Sequence, residues 1–379
     1  MKKILKYKGS RNWLITSLSV IIFFVVVTIL AETVFFELIT ALVGNRPTKN
    51  FGAGVYYESE YESKADAFTK ANKINEEINE EGIILLKNDD NTLPLSSGAK
   101  ISVFGKNSVN LAYGGSGSGA FTVTADTPTL YSSLDAAGFK TNTELKKFYE
   151  DNRQSGSGRS TSPTLDNSRS TIPGFGTGET PIASYTAALQ NSYSDYNDAA
   201  LVVFTRIGGE SFDLPRTMIN TDGAYSEDDH YLELDKNEQD LLVHVCERFD
   251  KVIVIINSST SMELGFLDAI DDNDATLVPG MANIDSKIKG CVWIGGPGYS
   301  GIMALGRVLK GEVNPSGRTI DTYERDFTKD PTYENFADYL VNNGNMYLDD
   351  NSGTTRNKVT EHYLDYEESV YVGYRYYET

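Results

Sequence analysis

The sequence predicts an α/β protein, a three-layer α/β/α sandwich with a largely parallel sheet, preceded by one N-terminal transmembrane helix. Short apolar runs that alternate with helical patterns predict the sandwich. A long uncharged stretch that follows a basic N-terminus predicts the membrane helix.

Four apolar runs are the strand candidates of this sheet. Each run is short, rich in β-branched residues and nearly continuous, which is typical of a strand that is covered on both faces. The runs span residues 100–105, 199–205, 251–257 and 290–295.

Helical patterns lie before, between and after these runs. They predict helices over residues 64–81, 129–137, 144–149, 235–249 and 299–309. The fourth pattern starts at Asp235 and has Glu238 three residues later, which is the arrangement of a capping box. Because strands and helices alternate, we expect helices on both faces of the sheet.

Residues 13–31 contain no charged side chain. At about 1.5 Å per residue, a helix over this stretch spans roughly 28 Å, close to the thickness of the hydrocarbon core of a bilayer. Basic residues precede it (Lys2, Lys3, Lys6, Lys8 and Arg11), and no small-x-small cleavage site follows it. We therefore predict an uncleaved, single-pass anchor in the cell membrane, with the N-terminus cytoplasmic and the bulk of the chain extracellular.

The chain is accordingly divided into five predicted segments. They are a cytoplasmic basic tail (1–12), a transmembrane anchor (13–43), a spacer and linker helix (44–80), the α/β sandwich domain (81–325), and a polar extension with a truncated exit segment (326–379). Within the sandwich domain, residues 153–181 are rich in Ser, Gly, Thr and Pro, so we expect an exposed, flexible insertion there.

Composition argues against several classes of ligand. With 34 Lys and Arg against 53 Asp and Glu, the net charge is −19, and such a surface repels the phosphate backbone of nucleic acids. Cys246 and Cys291 lie outside any CxxC or CxxH pattern, which argues against a metal site. Their apolar neighbours favour buried free thiols over a disulfide. No pattern in the sequence indicates a cofactor.

Three glycine-rich segments follow strand candidates, at the end of the sheet where open α/β proteins bind ligands. The first contains Gly115 and Ser116. It lacks the Gly-Lys-Ser/Thr ending of a nucleotide-binding loop, so close backbone approach to a ligand or a neighbouring domain is the favoured interpretation. The third, residues 295–299, enters a predicted helix whose free N–H groups could hold a hydroxyl or carboxylate. A simple turn explains it equally well.

The second glycine-rich segment, residues 206–213, carries two carboxyl groups. A strand candidate delivers it, and Glu210 and Asp213 lie at its tip. A carboxyl group in this position acts as a general acid if burial or a nearby carboxylate raises its pKa. The alternative interpretation is a solvated acidic turn.

Several segments together resemble one family. They are residues 81–88 with Leu93-Pro94-Leu95, 101–105 with the glycine loop after them, 206–213, 293–301, 311–318 (Gly-Glu-Val-Asn-Pro-Ser-Gly-Arg) and 371–377. In this order they resemble the C-terminal sandwich domain of glycoside hydrolase family 3 β-glucosidases. An N-terminal anchor followed directly by the sandwich fits a member of the family in which the sandwich precedes the barrel. The resemblance covers residues 81–379, and 206–213 and 311–318 are its most specific segments.

This resemblance implies a retaining hydrolase of O-glycosyl bonds that acts on a β-linked oligosaccharide or glucoside without a cofactor or metal. Glu210 takes the position of the family's acid/base, followed by Ser211 where the family often has glycine. The resemblance assigns substrate binding or loop support to Arg206, Gly209, Asp213, Gly115 and Ser116.

The family's nucleophile is an aspartate, typically just before a tryptophan, on a separate (β/α)8 barrel. Here Trp13 and Trp293 are preceded by Asn12 and Val292, and no barrel-length series of βα units is present. We therefore expect the nucleophile outside this chain, on a barrel domain in a longer chain or in trans, and expect the chain alone to be inactive. The alternative is a non-catalytic, surface-tethered protein that binds carbohydrate or a partner.

Overall fold

The computed structural model of the chain describes residues 8–36, 39, 60–160, 164–165, 173–209, 214, 218–219, 225–226, 229–268, 278–337, 363–364 and 366–378. The chain divides into two compact units, Met1–Glu62 and Ser63–Thr379. The spacer predicted between the anchor and the linker helix lies mostly outside the described residues.

The N-terminal unit contains helix α1 (Lys8–Thr33). Its stretch Gly9–Thr33 has 25 residues, and the most apolar part of this stretch has a mean hydropathy of 2.8 and is 0% buried within the protein. By length and composition this helix can cross a bilayer. A signal sequence meets the same criteria, so the membrane anchor stays a prediction.

The larger unit contains the remaining helices and all the strands of the described residues. The helices are α2 (Lys64–Gly82), α3 (Leu130–Ala136), α4 (Thr143–Glu150), α5 (Asn152–Ser155), α6 (Ala187–Asn191), α7 (Lys236–Cys246), α8 (Met303–Lys310), α9 (Pro331–Asn335) and α10 (Tyr374–Tyr377). The strands are β1 (Ile84–Asn88), β2 (Lys100–Phe104), β3 (Lys140–Thr141), β4 (Thr164–Leu165), β5 (Pro173–Gly174), β6 (Ala199–Arg206), β7 (Met218–Ile219), β8 (Tyr225–Ser226), β9 (Val252–Ser258), β10 (Ile288–Trp293), β11 (Phe336–Ala337) and β12 (Tyr363–Leu364).

A mostly parallel sheet forms the centre of this unit. In the described part of the chain it has six strands, in the order β1-β10-β9-β6-β2-β3. β3, β2, β6, β9 and β10 are parallel to one another, whereas β1 pairs antiparallel with β10. The four predicted strands are confirmed as β2, β6, β9 and β10. The edge strand β1 was not among them.

Two hydrophobic clusters lie on opposite faces of this sheet. Every residue of β6 and β9 is buried. Along β6, Val202 belongs to one cluster and Val203 to the other, since successive strand side chains point to opposite faces. Helices α4, α6 and α7 contribute to the first cluster, and α3 and α8 to the second. Helices therefore pack on both faces of the sheet. Each aliphatic side chain that is fully buried there stabilises the folded state by about 1.5–3 kcal/mol.

The capping box predicted at the start of α7 is confirmed. The Asp235 side chain accepts a hydrogen bond from Glu238 N at 2.8 Å, and Glu238 Oε2 accepts one from Asp235 N at 3.0 Å. Asp235 is the N-cap, so the helix proper begins at the next residue.

The predicted start of the helix near residue 299 is wrong, because α8 begins at Met303. The backbone N–H groups of Ser300 and Gly301 donate to Asn75 Oδ1 of α2, at 2.8 and 3.0 Å. The sequence suggested that N–H groups at this turn could bind a hydroxyl or carboxylate of a ligand. Two of them instead donate to the side-chain oxygen of Asn75, in the linker helix.

The end of the segment predicted to be an exposed insertion is buried. Phe175 and Glu179 have no exposed surface, and Thr177 is also buried. This part of residues 153–181 packs into the domain, although its composition is that of a loop. Both cysteines, Cys246 and Cys291, are buried and unpaired, as expected from their apolar neighbours.

Candidate functional site

The parallel strands β2, β6, β9 and β10 end at one edge of the sheet, and loops that follow three of them carry the glycine-rich segments. Ligands of open α/β sheets bind at this carboxyl edge. The structure brings the three glycine-rich loops together there.

The loops after β2 and β6 touch through their backbones. Ser116 N donates a hydrogen bond to Gly208 O at 2.9 Å, and Ser116 and Gly209 form an isolated parallel bridge. A Cβ atom on Gly115 would lie 2.8 Å from Gly208 O, and one on Gly209 would overlap Ser116 Oγ. Only glycine at 115 and 209 permits this approach without displacing a neighbour. The close approach predicted for the first loop thus involves the second loop.

The loop after β10 joins the same contact region. Gly298 N donates to Tyr113 O at 2.9 Å. The Phe121 ring lies between the rings of Tyr113 and Tyr299, with centroid distances of 5.6 and 6.1 Å. All three loops are therefore held together by direct contacts.

Asn257, in β9, is a central residue that the sequence analysis missed. Its side chain is fully buried. Its Oδ1 accepts from Ala112 N at 2.7 Å and from Thr205 Oγ1 at 3.3 Å. Its Nδ2 donates to Ala112 O at 2.9 Å and to Gly295 O at 2.7 Å. One amide thus connects β6 with the loops after β2 and β10. An asparagine near the end of an otherwise apolar run was the available signal.

Arg206, the last residue of β6, precedes the second loop and forms a buried ion pair with Glu238. Both side chains have 0% exposure. The guanidinium donates to the two carboxylate oxygens at 2.8 and 2.6 Å, a bidentate geometry. It also donates to the carbonyls of Thr205, Tyr231 and Glu233. Burial alone would lower the pKa of Arg206, but the charge of Glu238 and the hydrogen bonds to its carboxylate raise it above its ordinary value.

Tyr231 fixes the first residue of the same loop. Its hydroxyl accepts from Ile207 N at 2.8 Å and donates to Ile207 O at 3.2 Å. Arg206 has no exposed surface, so none of its atoms can contact a substrate. The two roles predicted for it were substrate binding and loop support, and the geometry favours loop support.

Glu210 and Asp213 lie outside the described residues, so their predicted roles stay predictions. Gly209, the residue before Glu210, is described and lies against Ser116. Within the described chain, Ser116 Oγ is a buried polar atom without a hydrogen-bond partner. A buried hydroxyl without a partner beside this loop is a group that a ligand or a neighbouring carboxyl could satisfy.

A second buried carboxyl group lies behind the first loop. Glu179 is fully buried and accepts hydrogen bonds from Lys106 N at 3.0 Å and Thr180 N at 2.8 Å. Burial raises the pKa of Glu179 to about 8, against the opposing effect of these N–H groups. Glu179 lies in the segment that was expected to be an exposed insertion, so it was not among the predicted site residues. Across the described ranges, no group of three or more His, Cys, Asp and Glu residues could hold a metal ion.

Comparison with known protein families decides the classification. The glycosyl hydrolase family 3 C-terminal domain matches residues 83–374 of this chain. The chain belongs to glycosyl hydrolase family 3. The resemblance inferred from residues 81–379 is thereby confirmed, and the described sheet is that of a family 3 C-terminal domain.

Two curated family 3 relatives show how much of a longer protein this domain represents. β-Glucosidase A of Butyrivibrio fibrisolvens is 26% identical over 314 residues, which cover 79% of this chain and 31% of the relative. A β-glucosidase of Ruminococcus albus is 28% identical over 307 residues, which cover 80% of this chain and 26% of the relative. The family 3 chain therefore spans less than a third of the length of these relatives.

A solved structure has the same fold. β-Glucosidase 3B from Thermotoga neapolitana, in complex with α-D-glucose, superposes on this family 3 chain with a TM-score of 0.58 at 24% sequence identity. The superposition covers 84% of this chain and 37% of the other.

Proposed function

We propose that this family 3 domain is the sandwich part of a membrane-anchored, β-glucosidase-like hydrolase. It hydrolyses O-glycosyl bonds of a β-linked oligosaccharide or glucoside with retention of configuration. The observation that carries the proposal is the contact of Ser116 with Gly208 and Gly209 at the carboxyl edge of the sheet. This contact brings the residue before Glu210 next to a buried hydroxyl that has no hydrogen-bond partner among the described residues. The relatives named β-glucosidases support the substrate class.

In this mechanism Glu210 is the acid/base. It protonates the leaving oxygen in the first step and takes a proton from the attacking water in the second. Retention requires a nucleophilic carboxylate about 5–5.5 Å from it. We assign that group to a (β/α)8 barrel, either in a longer chain or in trans. Gly115, Ser116, Gly209 and Asp213 then line or support the part of the site that faces the sugar.

The same proposal places the hydrolase at the cell surface. Helix α1 anchors the chain in the cell membrane, with the basic N-terminus cytoplasmic and the domain extracellular. The support is the apolar stretch Gly9–Thr33 together with the basic residues before it. A hydrolase in this position would meet oligosaccharides before they enter the cell.

The test combines the purified full chain with a family 3 barrel domain and compares two substrates. Cellobiose has a poor leaving group that needs protonation, whereas a dinitrophenyl β-glucoside has a good one. We expect Glu210→Gln to lower the cellobiose rate by about 10²–10⁴-fold and to affect the dinitrophenyl substrate far less. Glu144→Gln, which changes an exposed carboxylate of α4, is the matched control.

An unchanged cellobiose rate in Glu210→Gln would remove Glu210 from the mechanism. Turnover by the full chain without the barrel that disappears in Glu210→Gln would contradict the assignment of the nucleophile to a second domain. Binding of cellobiose without turnover in any mixture would favour the non-catalytic, carbohydrate-binding alternative.

A further inference from the structure

A cavity of about 330 Å³ opens beside the carboxyl end of β2, next to helices α4 and α5. Its walls include Lys106, Asn110, Tyr131, Lys146, Glu150 and Ser157. None of its lining residues belongs to the contact between the glycine-rich loops. Its volume is at the lower end of the range for small-molecule sites, about 300–1,000 Å³.

Both lysines of this cavity have partners in the protein. Lys106 Nζ donates to the carbonyl of Tyr149, to Asn152 Oδ1 at 2.9 Å and to Ser155 Oγ at 3.0 Å, which uses all three of its protons. Lys146 Nζ lies 3.5 Å from Glu150 Oε1. One ammonium group therefore has three protein acceptors and the other has a carboxylate beside it, which disfavours an anionic ligand.

Lys146 is also held over an aromatic wall of the cavity. Its Nζ lies 5.1 Å from the centroid of the Tyr131 ring, a cation–π distance. The contact places the aliphatic stem of Lys146 at the side of the cavity. The cavity thus has apolar carbon surface beside its polar groups.

The cavity also offers neutral hydrogen-bonding groups. The Asn110 backbone is used, since its N–H donates to Asn107 O and its carbonyl accepts from Arg159 Nε. Within the described ranges, the Asn110 amide side chain and the Ser157 hydroxyl make no hydrogen bond. An amide and a hydroxyl offer both donors and acceptors, which complement the hydroxyl groups of a polyol.

The wall that carries Asn110 is held rigidly. Arg159 donates to the carbonyls of Asn110 at 3.0 Å and Leu111 at 2.8 Å. The next residue, Ala112, has both its backbone groups bound by Asn257. A wall that is already ordered loses little conformational entropy when a ligand binds.

We propose that this cavity is an accessory binding site for a neutral monosaccharide unit, free or at the end of a glycoside. The sugar's hydroxyl groups pair with Asn110 and Ser157, and its carbon face lies against the aliphatic stem of Lys146. The inference goes beyond the proposed function, because it requires neither the chemistry of Glu210 nor a barrel domain.

The test is saturation-transfer NMR on the full chain in a polyoxyethylene detergent, which contains no sugar. Methyl β-D-glucoside, D-glucose and D-glucuronate are titrated separately. We expect saturable binding of the two neutral sugars with a dissociation constant of roughly 1 mM. Asn110→Ala and Ser157→Ala should each weaken it by about 2- to 10-fold, the effect of one lost hydrogen bond. The double variant should weaken it further.

Two variants serve as controls. Lys147→Met changes the neighbouring residue of α4, which is exposed and does not line the cavity, and should leave the affinity unchanged. Glu210→Gln should also leave it unchanged, which separates this site from the proposed catalytic one. Circular dichroism of each variant checks that it is folded.

Three results would overturn the proposal. They are the absence of saturable binding by either neutral sugar, unchanged affinity in the folded double variant of Asn110 and Ser157, and binding of D-glucuronate at least tenfold tighter than that of D-glucose. The second result would place the sugar elsewhere on the chain, and the third would assign the cavity to anions.

Discussion

Replacing Arg206 by methionine removes the cation that holds the loop before Glu210. Arg206 and Glu238 are both fully buried, and two of the guanidinium's hydrogen bonds reach the Glu238 carboxylate at 2.8 and 2.6 Å. In Arg206→Met the Glu238 carboxylate loses its counter-charge inside the domain. Breaking a buried pair by removing one partner costs about 3–5 kcal/mol.

The guanidinium has further partners that raise this cost. The carbonyls of Thr205, Tyr231 and Glu233 each lose a donor in Arg206→Met. A buried acceptor left without a partner costs about 1–3 kcal/mol where water cannot reach it. We therefore expect a loss of at least about 3 kcal/mol, equivalent to a fall in Tm of roughly 6 °C or more.

A double variant separates the charge effect from the carbonyl effect. Arg206→Met with Glu238→Leu removes both charges, so the cost of an unpaired buried charge disappears. The three carbonyls still lack their donor, and the capping box of α7 loses its Glu238 side chain. We expect the double variant to be less destabilised than the sum of the single variants, but still less stable than the parent chain.

The assay is thermal unfolding of the full chain followed by circular dichroism. Lys236→Met is the matched control on the same helix, since it breaks an exposed ion pair with Asp240 whose two side chains are 69% and 44% exposed. Such a pair contributes only about 0.3–0.5 kcal/mol. A Tm change in Arg206→Met no larger than in Lys236→Met would refute the view that this ion pair holds the loop.

Three further predictions concern the glycine contact, the buried carboxyl group and the membrane topology. Gly209→Ala places a Cβ atom on Ser116 Oγ and 2.6 Å from Ser116 O, so we expect a loss of about 1–3 kcal/mol in thermal unfolding. Ser116→Gly should restore only part of it, and no loss would show that the loops do not touch. Since burial raises the pKa of Glu179 from 4.5 to about 8, folding favours its neutral form. The stability from this group is fully present below pH 4.5 and is lost as pH rises through about 8, with a slope of about 1.4 kcal/mol per pH unit between them. Glu179→Gln should remove this slope from urea unfolding measured across that range, and an equal slope in both proteins would exclude Glu179 as its source. A tag after Asn50 should be cut by protease on intact cells and a tag before Lys2 should not, and the reverse pattern would overturn the predicted topology.

The strands of the sheet could be predicted from local composition. A strand that is covered on both faces must be apolar at nearly every position, and β6 and β9 satisfy this throughout their length. The start of α7 was equally predictable, because its capping box involves only Asp235 and Glu238, three residues apart. Strand β1 was not predictable in this way, since it contains Lys87 and Asn88 and is defined by its pairing with the distant β10.

The helix start near residue 299 shows where local patterns are insufficient. The residues after Gly298 include Gly301 but no proline, so nothing in the local sequence excludes a helix that starts at Tyr299. Asn75, from a distant part of the chain, takes the N–H groups of Ser300 and Gly301 instead. The boundary therefore depends on a tertiary contact, and helix ends are the part of a pattern that propensity determines least.

The sequence by itself determined the alternation of strands and helices, the apolar N-terminal helix and the order of segments that identifies family 3. Only the tertiary structure decided that Gly209 lies against Ser116, that Arg206 pairs with Glu238, and that Asn257 connects neighbouring loops. The physical reason is that the spacing of apolar residues shows which side of a segment faces the core. Glycine and charged residues, in contrast, occur both in solvated turns and in buried contacts, so their presence alone does not distinguish the two. Their partners are distant in the chain and become neighbours only when the parallel strands align their carboxyl ends.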